Sequence, residues 1–120
     1  LVRAMHDAGF FHADRTLANL VLAGGPGGGR AYVVDLDRGR FLRPLGTTKR
    51  FRNLARLLRS CEKWLGRAGR LAPREELVFL RRYCGSDGAL LRFLLGRLRR
   101  YRAALRLRRL FYRVAAPDQA

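Results

Sequence analysis

His12, Asp14 and Asn19 lie in the run HADRTLAN, and Asp35 and Asp37 lie in VVDLD. These are the residues whose types and spacing could do chemistry together. A carboxylate such as Asp14 can accept or orient the proton of an attacking hydroxyl. Asn19, further along the same loop, can hold a magnesium ion through its amide oxygen, and Asp35 can bring a carboxylate to that ion from the opposite side. A His-x-Asp-x-x-x-x-Asn loop followed by an Asp at the end of an apolar strand is an arrangement for phosphoryl transfer, where positioning and electrostatics supply most of the catalysis. His12 reads as structural support of the loop, bracing it by hydrogen bonds, and not as the base.

A blander reading exists for each residue. Asp and Asn favour turns on their own account. Context favours chemistry: the loop follows a helical pattern, precedes two short apolar strands, and an acidic strand end comes after them. Acids are scarce, nine in the whole chain, and four of them are Asp7, Asp14, Asp35 and Asp37. Asp35 directly follows the apolar run and is the better metal ligand. Asp37 has two readings, a second metal contact or a partner for Arg38 or Arg40. The run Gly24 to Gly29 (GGPGGG) lacks a following Lys-Ser/Thr and reads as a loop tip, not a phosphate cradle.

The elements that must position these residues follow from periodicity and punctuation. Leu1 to Ala8 reads as a helix with Leu1, Met5 and Ala8 on one face, stopped by Gly9. Phe10 and Phe11 form a short extended entry to His12. Leu20–Leu22 and Ala31–Val34 pair as a hairpin across the glycine run. Thr47 or Thr48 caps a helix to about Leu65, with Phe51, Leu54, Ala55, Leu58 and Cys61 at helical spacing. Pro73 suits the first turn of another helix, with Glu75 and Glu76 at its positive end and a stop near Gly85. Ser86 or Asp87 caps a long last helix to about Val114, whose apolar set includes Leu90, Leu91, Leu94, Leu95, Leu98, Tyr101, Leu105 and Phe111. Pro117 to Ala120 is expected to fray. The fold class is therefore α+β, mainly α, as a single domain: residues 1–43 carry the loops and hairpin, and residues 44–120 form a helical part.

The chain has 120 residues and is 48% hydrophobic, ample for one core without metal or disulfide staples. Cys61 and Cys84 have no CxxC spacing and read as plain helical side chains. The net charge is +17, and every basic residue except Lys49 and Lys63 is arginine. Such a chain should bind anionic surfaces, whether phospholipid, phosphorylated glycolipid or nucleic acid. The arginine-rich last helix is either a solvated face or a basic amphipathic helix on an anionic membrane. No apolar run reaches the length of a membrane span. The chain opens on Leu1 in mid-pattern and without Met, so a fragment, or a product lacking its upstream part, is expected.

The runs HDAGFFHADRTLANLVL and VVDLDRGR resemble the lipopolysaccharide kinases of Gram-negative bacteria, most of all those acting on 3-deoxy-D-manno-octulosonic acid (Kdo). The resemblance rests on His6, Asp7 and Gly9 before the catalytic loop and on Asp35, Leu36, Asp37, Arg38 and Gly39 in the metal loop. It continues through Asn53, Leu54, Arg56, Leu57, Arg59 and Ser60 and spans about Leu1 to Lys63. It implies the C-terminal lobe of a protein-kinase-like fold, ATP and Mg²⁺ as cofactors, and transfer of the γ-phosphoryl group to a Kdo hydroxyl of Kdo-lipid A. It also implies work at the cytoplasmic face of the inner membrane. By position Asp14 would be the base, and Asn19 and Asp35 would be the metal ligands that hold ATP. Arg15 and Thr16 depart from the Leu-Asn often found there, and Leu36 replaces Phe. An upstream glycine-rich loop, a strand lysine and its helix glutamate have no counterpart, so the N-lobe is expected to be absent.

Two other functions are carried beside it. One is a heptose or other small-molecule kinase of the same fold. The other is a non-enzymatic basic module binding nucleic acid or anionic membrane. No recognised nucleic-acid motif is present and aromatic interleaving is thin, so no specific nucleic acid is expected.

Overall fold

A computed structural model of the protein describes residues 1–14, 16–65 and 72–115; Arg15 and the stretch Pro117 to Ala120 lie outside the described residues. The fold is α+β and mostly helical, with two small two-stranded sheets.

Helix α1 (Val2–Asp7) turns Val2 and His6 inward, one helical step apart. This differs from the face expected from Leu1, Met5 and Ala8: Leu1 and Ala8 are exposed and Met5 is half-buried. His6 can face inward because polar partners await it there, while Arg3 and Asp7 pair outside at 2.9 Å. Gly9 ends the helix with φ +83°, and a Cβ there would lie 2.7 Å from the Leu42 carbonyl oxygen. Both the conformation and the close approach require glycine.

Strand β1 (Phe10–His12) leads to a 3-10 turn (Leu17–Asn19), then β2 (Leu20–Ala23) and β3 (Arg30–Val33). β2 and β3 form the expected antiparallel hairpin, from Leu20 opposite Val33 to Ala23 opposite Arg30, with the glycine run as its turn. A second 3-10 turn (Leu36–Arg38) leads into β4 (Gly39–Phe41). β4 returns antiparallel to β1, with His12 opposite Gly39 and Phe10 opposite Phe41. The sequence reading contains no counterpart to this pairing.

Helices α2 (Thr47–Leu65), α3 (Pro73–Cys84) and α4 (Gly88–Ala115) complete the chain. Gly46 precedes α2, and its carbonyl accepts from Arg50 N–H at 3.1 Å, so the residue at the helix mouth is Gly46, not a threonine. Glu75 reaches back to accept from the Ala72 N–H at 2.9 Å, and Asp87 caps α4 by accepting from Leu90 N–H at 2.9 Å. One core joins all four helices: Val2, Leu54, Leu57, Leu80, Tyr83, Cys84, Leu90 and Leu94. Past Leu105, α4 leaves the core, and Leu107, Leu110 and Phe111 are exposed. Among the described residues no helix is long and apolar enough to cross a membrane.

Candidate active site

The short β1–β4 sheet holds the loop bearing Asp14 against the loop bearing Asp35. Backbone bonds extend the ladder at both ends, from Leu42 N–H to Gly9 O at 2.7 Å and from Ala13 N–H to Arg38 O at 3.3 Å. Asn19 is stitched to the hairpin by its carbonyl, which accepts from Val34 N–H at 2.9 Å. Its side-chain Nδ2 donates to the Asp14 carbonyl at 2.9 Å, which leaves Oδ1 as its ligand-capable atom. Gly39 lies under the Phe10 ring; a Cβ at Gly39 would fall 1.9 Å from Phe10 Cζ.

Beneath the loops runs a buried line of hydrogen bonds in which each donor is followed by the next. The Tyr83 hydroxyl donates to His6 Nδ1 at 2.6 Å, and His6 Nε2–H donates to Asn53 Oδ1 at 3.3 Å. Asn53 Nδ2 donates to the His12 carbonyl at 3.1 Å, and His12 Nε2–H donates to the Asp35 carbonyl at 2.7 Å. An amide oxygen can only accept, which assigns the proton to His6 Nε2 and makes Nδ1 the acceptor. His6, His12 and Asn53 have no solvent exposure. Burial pushes the Tyr83 phenol above its ordinary range, partly offset by Arg50 beside it.

Helix α2 clamps the Asp14 loop from one side. Asn53 holds the His12 carbonyl, Arg56 Nη1 donates to the Ala13 carbonyl, and Ser60 Oγ accepts from Leu17 N–H at 2.9 Å. Asn53, Arg56 and Ser60 recur at helical spacing, so they share one face. Asn53 and Ser60 are buried, which widens the inward face of α2 beyond the apolar residues expected there. Polar residues in a helix read as solvent-facing in sequence; here they satisfy the backbone of a loop that makes few bonds of its own. The sequence reading names His6 only as a motif residue and gives neither His6 nor Tyr83 this buried supporting role. The signal that could have found them is an Asn and a Ser on the same helical stripe as Leu57.

Asp14 is exposed, and among the described residues it pairs with Arg56, Nη1 to Oδ1 at 3.9 Å. Asp35 adopts the left-handed conformation, φ +60°, a strain found at functional turns. Asp35 and Asp37 share a hydrogen bond: it pushes the Asp35 carboxyl above the usual carboxylate range and the Asp37 carboxyl below it. No hydrogen bond joins the Asp14 carboxylate to either of them among the described residues.

The donors at Asp35 are all oxygen, two carboxylates that crowd each other. A hard divalent cation would replace the proton they share and relieve their repulsion. Among the described residues no cluster of three or more His, Cys, Asp or Glu stands ready to cage a metal. Two carboxylates completed by substrate phosphates are what Mg²⁺ takes, so the residues fit that ion.

Comparison with known proteins adds an independent finding. A family model described as the lipopolysaccharide kinase (Kdo/WaaP) family matches residues 1–83. The 3-deoxy-D-manno-octulosonic acid kinase of Stenotrophomonas maltophilia (strain R551-3) is 38% identical over 82 residues, covering 68% of this chain and 31% of that protein. The protein of the same name from Xanthomonas campestris pv. campestris (strain B100) is 42% identical over 66 residues, covering 55% of this chain and 25% of that one. The chain thus spans about a third or less of the length of these curated relatives. No solved structure matches it.

Proposed function

The chain belongs to the lipopolysaccharide kinase (Kdo/WaaP) family, and from that premise we propose that it is the C-terminal lobe of an ATP-dependent kinase with a protein-kinase-like fold. Its acceptor is a Kdo hydroxyl of Kdo-lipid A in the lipopolysaccharide inner core. The observation that carries this reading is the bond from His12 to the Asp35 carbonyl, which ties the loop bearing Asp14 to the acidic loop.

Asp14 takes the proton of the acceptor hydroxyl as its oxygen bonds to the γ-phosphorus and the bond to the bridging oxygen breaks. Asn19 Oδ1, Asp35 and, as a second carboxylate, Asp37 are the residues that would hold Mg²⁺. When bound, Mg²⁺ would neutralise charge on the triphosphate oxygens. Arg56 keeps the Asp14 loop in place through the Ala13 carbonyl and lies beside the Asp14 carboxylate.

The exposed end of α4 supports work at a membrane surface. Leu107, Leu110 and Phe111 fall on one helical face, with Arg106, Arg108 and Arg109 among them. Such a helix lies on anionic lipid with its apolar face inserted. This reading makes the enzyme peripheral at the cytoplasmic face of the inner membrane, where the glycolipid acceptor is held.

The test is transfer of labelled phosphate from ATP to Kdo-lipid A by the protein that carries this chain. Asp14→Ala should lower the rate by about a thousandfold, with the unfolding midpoint unchanged. A variant keeping a large part of the activity removes Asp14 from the mechanism.

A further inference from the structure

An open cleft of about 370 Å³ lies beside the Asp14 loop, lined by Thr16, Arg56, Arg59, Ser60, Lys63 and Trp64. Its wall is built from the bonds that hold the loop itself: Arg56 to the Ala13 carbonyl and Ser60 to the Leu17 N–H. The cleft therefore keeps a constant relation to Asp14, whose carboxylate is 3.9 Å from Arg56. Arg59 and Lys63 follow Arg56 along the same side of α2. Among the described residues neither pairs with a carboxylate, whereas Arg3, Arg50, Arg56 and Arg102 do. Trp64 closes the row with 64% of its surface exposed, although a large aromatic side chain normally finds cover.

Two unpaired cations and a bare indole, side by side next to a carboxylate, have complementary demands. The cations want an oxyanion; a guanidinium takes a carboxylate through two parallel hydrogen bonds. The indole wants a flat, weakly polar face, which the C–H side of a sugar ring presents while its hydroxyls point away. An acid sugar meets both demands in one molecule. A neutral sugar leaves the cations unanswered, and a bare phosphate leaves the indole exposed.

We propose that this cleft is the acceptor subsite, binding an acid sugar with its carboxylate on Arg59 and Lys63 and its ring on Trp64, beside Asp14. The occupant's identity rests on the kinase reading above; the chemistry of the cleft does not. Arg59, Lys63 and Trp64 are then positioning residues, setting which sugar reaches Asp14.

Trp64 is the chain's single tryptophan, so its fluorescence reports on this cleft alone. Titration of the 120-residue chain with free Kdo should change that fluorescence saturably, while glucose and inorganic phosphate at equal concentration have much weaker effects. Arg59→Ala with Lys63→Ala should weaken Kdo binding at least about tenfold, which corresponds to ~1.4 kcal/mol; Lys63→Arg, which keeps the charge, should retain it. In the phosphotransfer assay the double variant should raise the acceptor KM about tenfold, in line with that loss of binding, and leave the KM for ATP unchanged. Equal responses to Kdo and glucose, or to Kdo and phosphate, overturn the subsite, as does an unchanged acceptor KM. Charge-dependent Kdo binding without any phosphoryl transfer keeps the subsite and sinks the kinase reading. Transfer that needs Asp14 but ignores Arg59, Lys63 and Trp64 does the reverse.

Discussion

His12 Nε2 donates to the backbone carbonyl of Asp35 at 2.7 Å from a wholly buried ring. The two loops that carry the candidate base and the candidate metal ligand are therefore joined by a buried side-chain bond in addition to the backbone bond from Ala13 N–H to Arg38 O. The left-handed turn at Asp35 directs that carbonyl inward while its carboxylate stays at the surface with Asp37.

Replacing His12 by Phe keeps most of the volume and leaves the Asp35 carbonyl without its partner. A buried acceptor left unsatisfied costs about 1–3 kcal/mol. Urea unfolding of His12→Phe should show a loss of that size, and Mg²⁺ affinity should fall with it because Asp35 is no longer held. An unfolding curve identical to the parent's would show that the bond does not brace the loop.

Asn53 links His6 to the His12 carbonyl, so its replacement by Leu breaks two buried hydrogen bonds at once. A loss of about 2–4 kcal/mol is expected. Tyr83→Phe removes the far end of the same line. Because the bonds share partners, the double variant should lose less than the sum of the single ones, by at least ~0.5 kcal/mol. Strict additivity in chemical denaturation would mean that the bonds act separately.

The shared hydrogen bond raises the Asp35 carboxyl and lowers that of Asp37. Below its raised value the pair holds a proton that a divalent cation must displace. Mg²⁺ affinity should thus fall as pH drops through the Asp35 value and be constant above it, with proton release on binding in that window. Asp37→Asn removes the negative neighbour, so the pH dependence should shift to lower pH while overall affinity weakens. Calorimetry in buffers of different ionisation enthalpy measures the released proton; its absence at every pH would contradict the pairing.

Gly39→Ala drives a Cβ into the Phe10 ring, with 1.9 Å between the would-be Cβ and Cζ. Overpacking of this kind costs about 1–3 kcal/mol. The β1–β4 sheet, and with it the separation of the two loops, should be disturbed. Phe10→Leu in the same chain makes room and should recover part of the stability. If thermal melts show Gly39→Ala to be neutral, the ring does not lie on Gly39 in solution.

Much of this protein was legible locally. The hairpin was visible because a glycine run separates two apolar stretches, and α3 and α4 because Pro73, Gly85 and Asp87 punctuate them. The matched family model agrees with the resemblance drawn from the loop motifs. The site was legible as a set of residue types at fixed intervals, since the chemistry of a loop is written in consecutive positions. Its support was not. Strands β1 and β4 are three residues each, too short to show a period, and their pairing spans the whole hairpin.

The inward face of α1 and the polar stripe of α2 depend on each other. His6 is buried because Tyr83 and Asn53 are there to receive it, and Asn53 is buried because the His12 carbonyl needs a donor. The sequence by itself determined the helices, the hairpin and the chemical types at Asp14, Asn19, Asp35 and Asp37, because caps, turns and motif spacing act between near neighbours. Only the tertiary structure decided how those types are held, which side chains line the cleft beside Asp14, and that His12 meets Asp35. Those outcomes depend on which buried polar groups find partners across the fold, and such partners are distant in the chain.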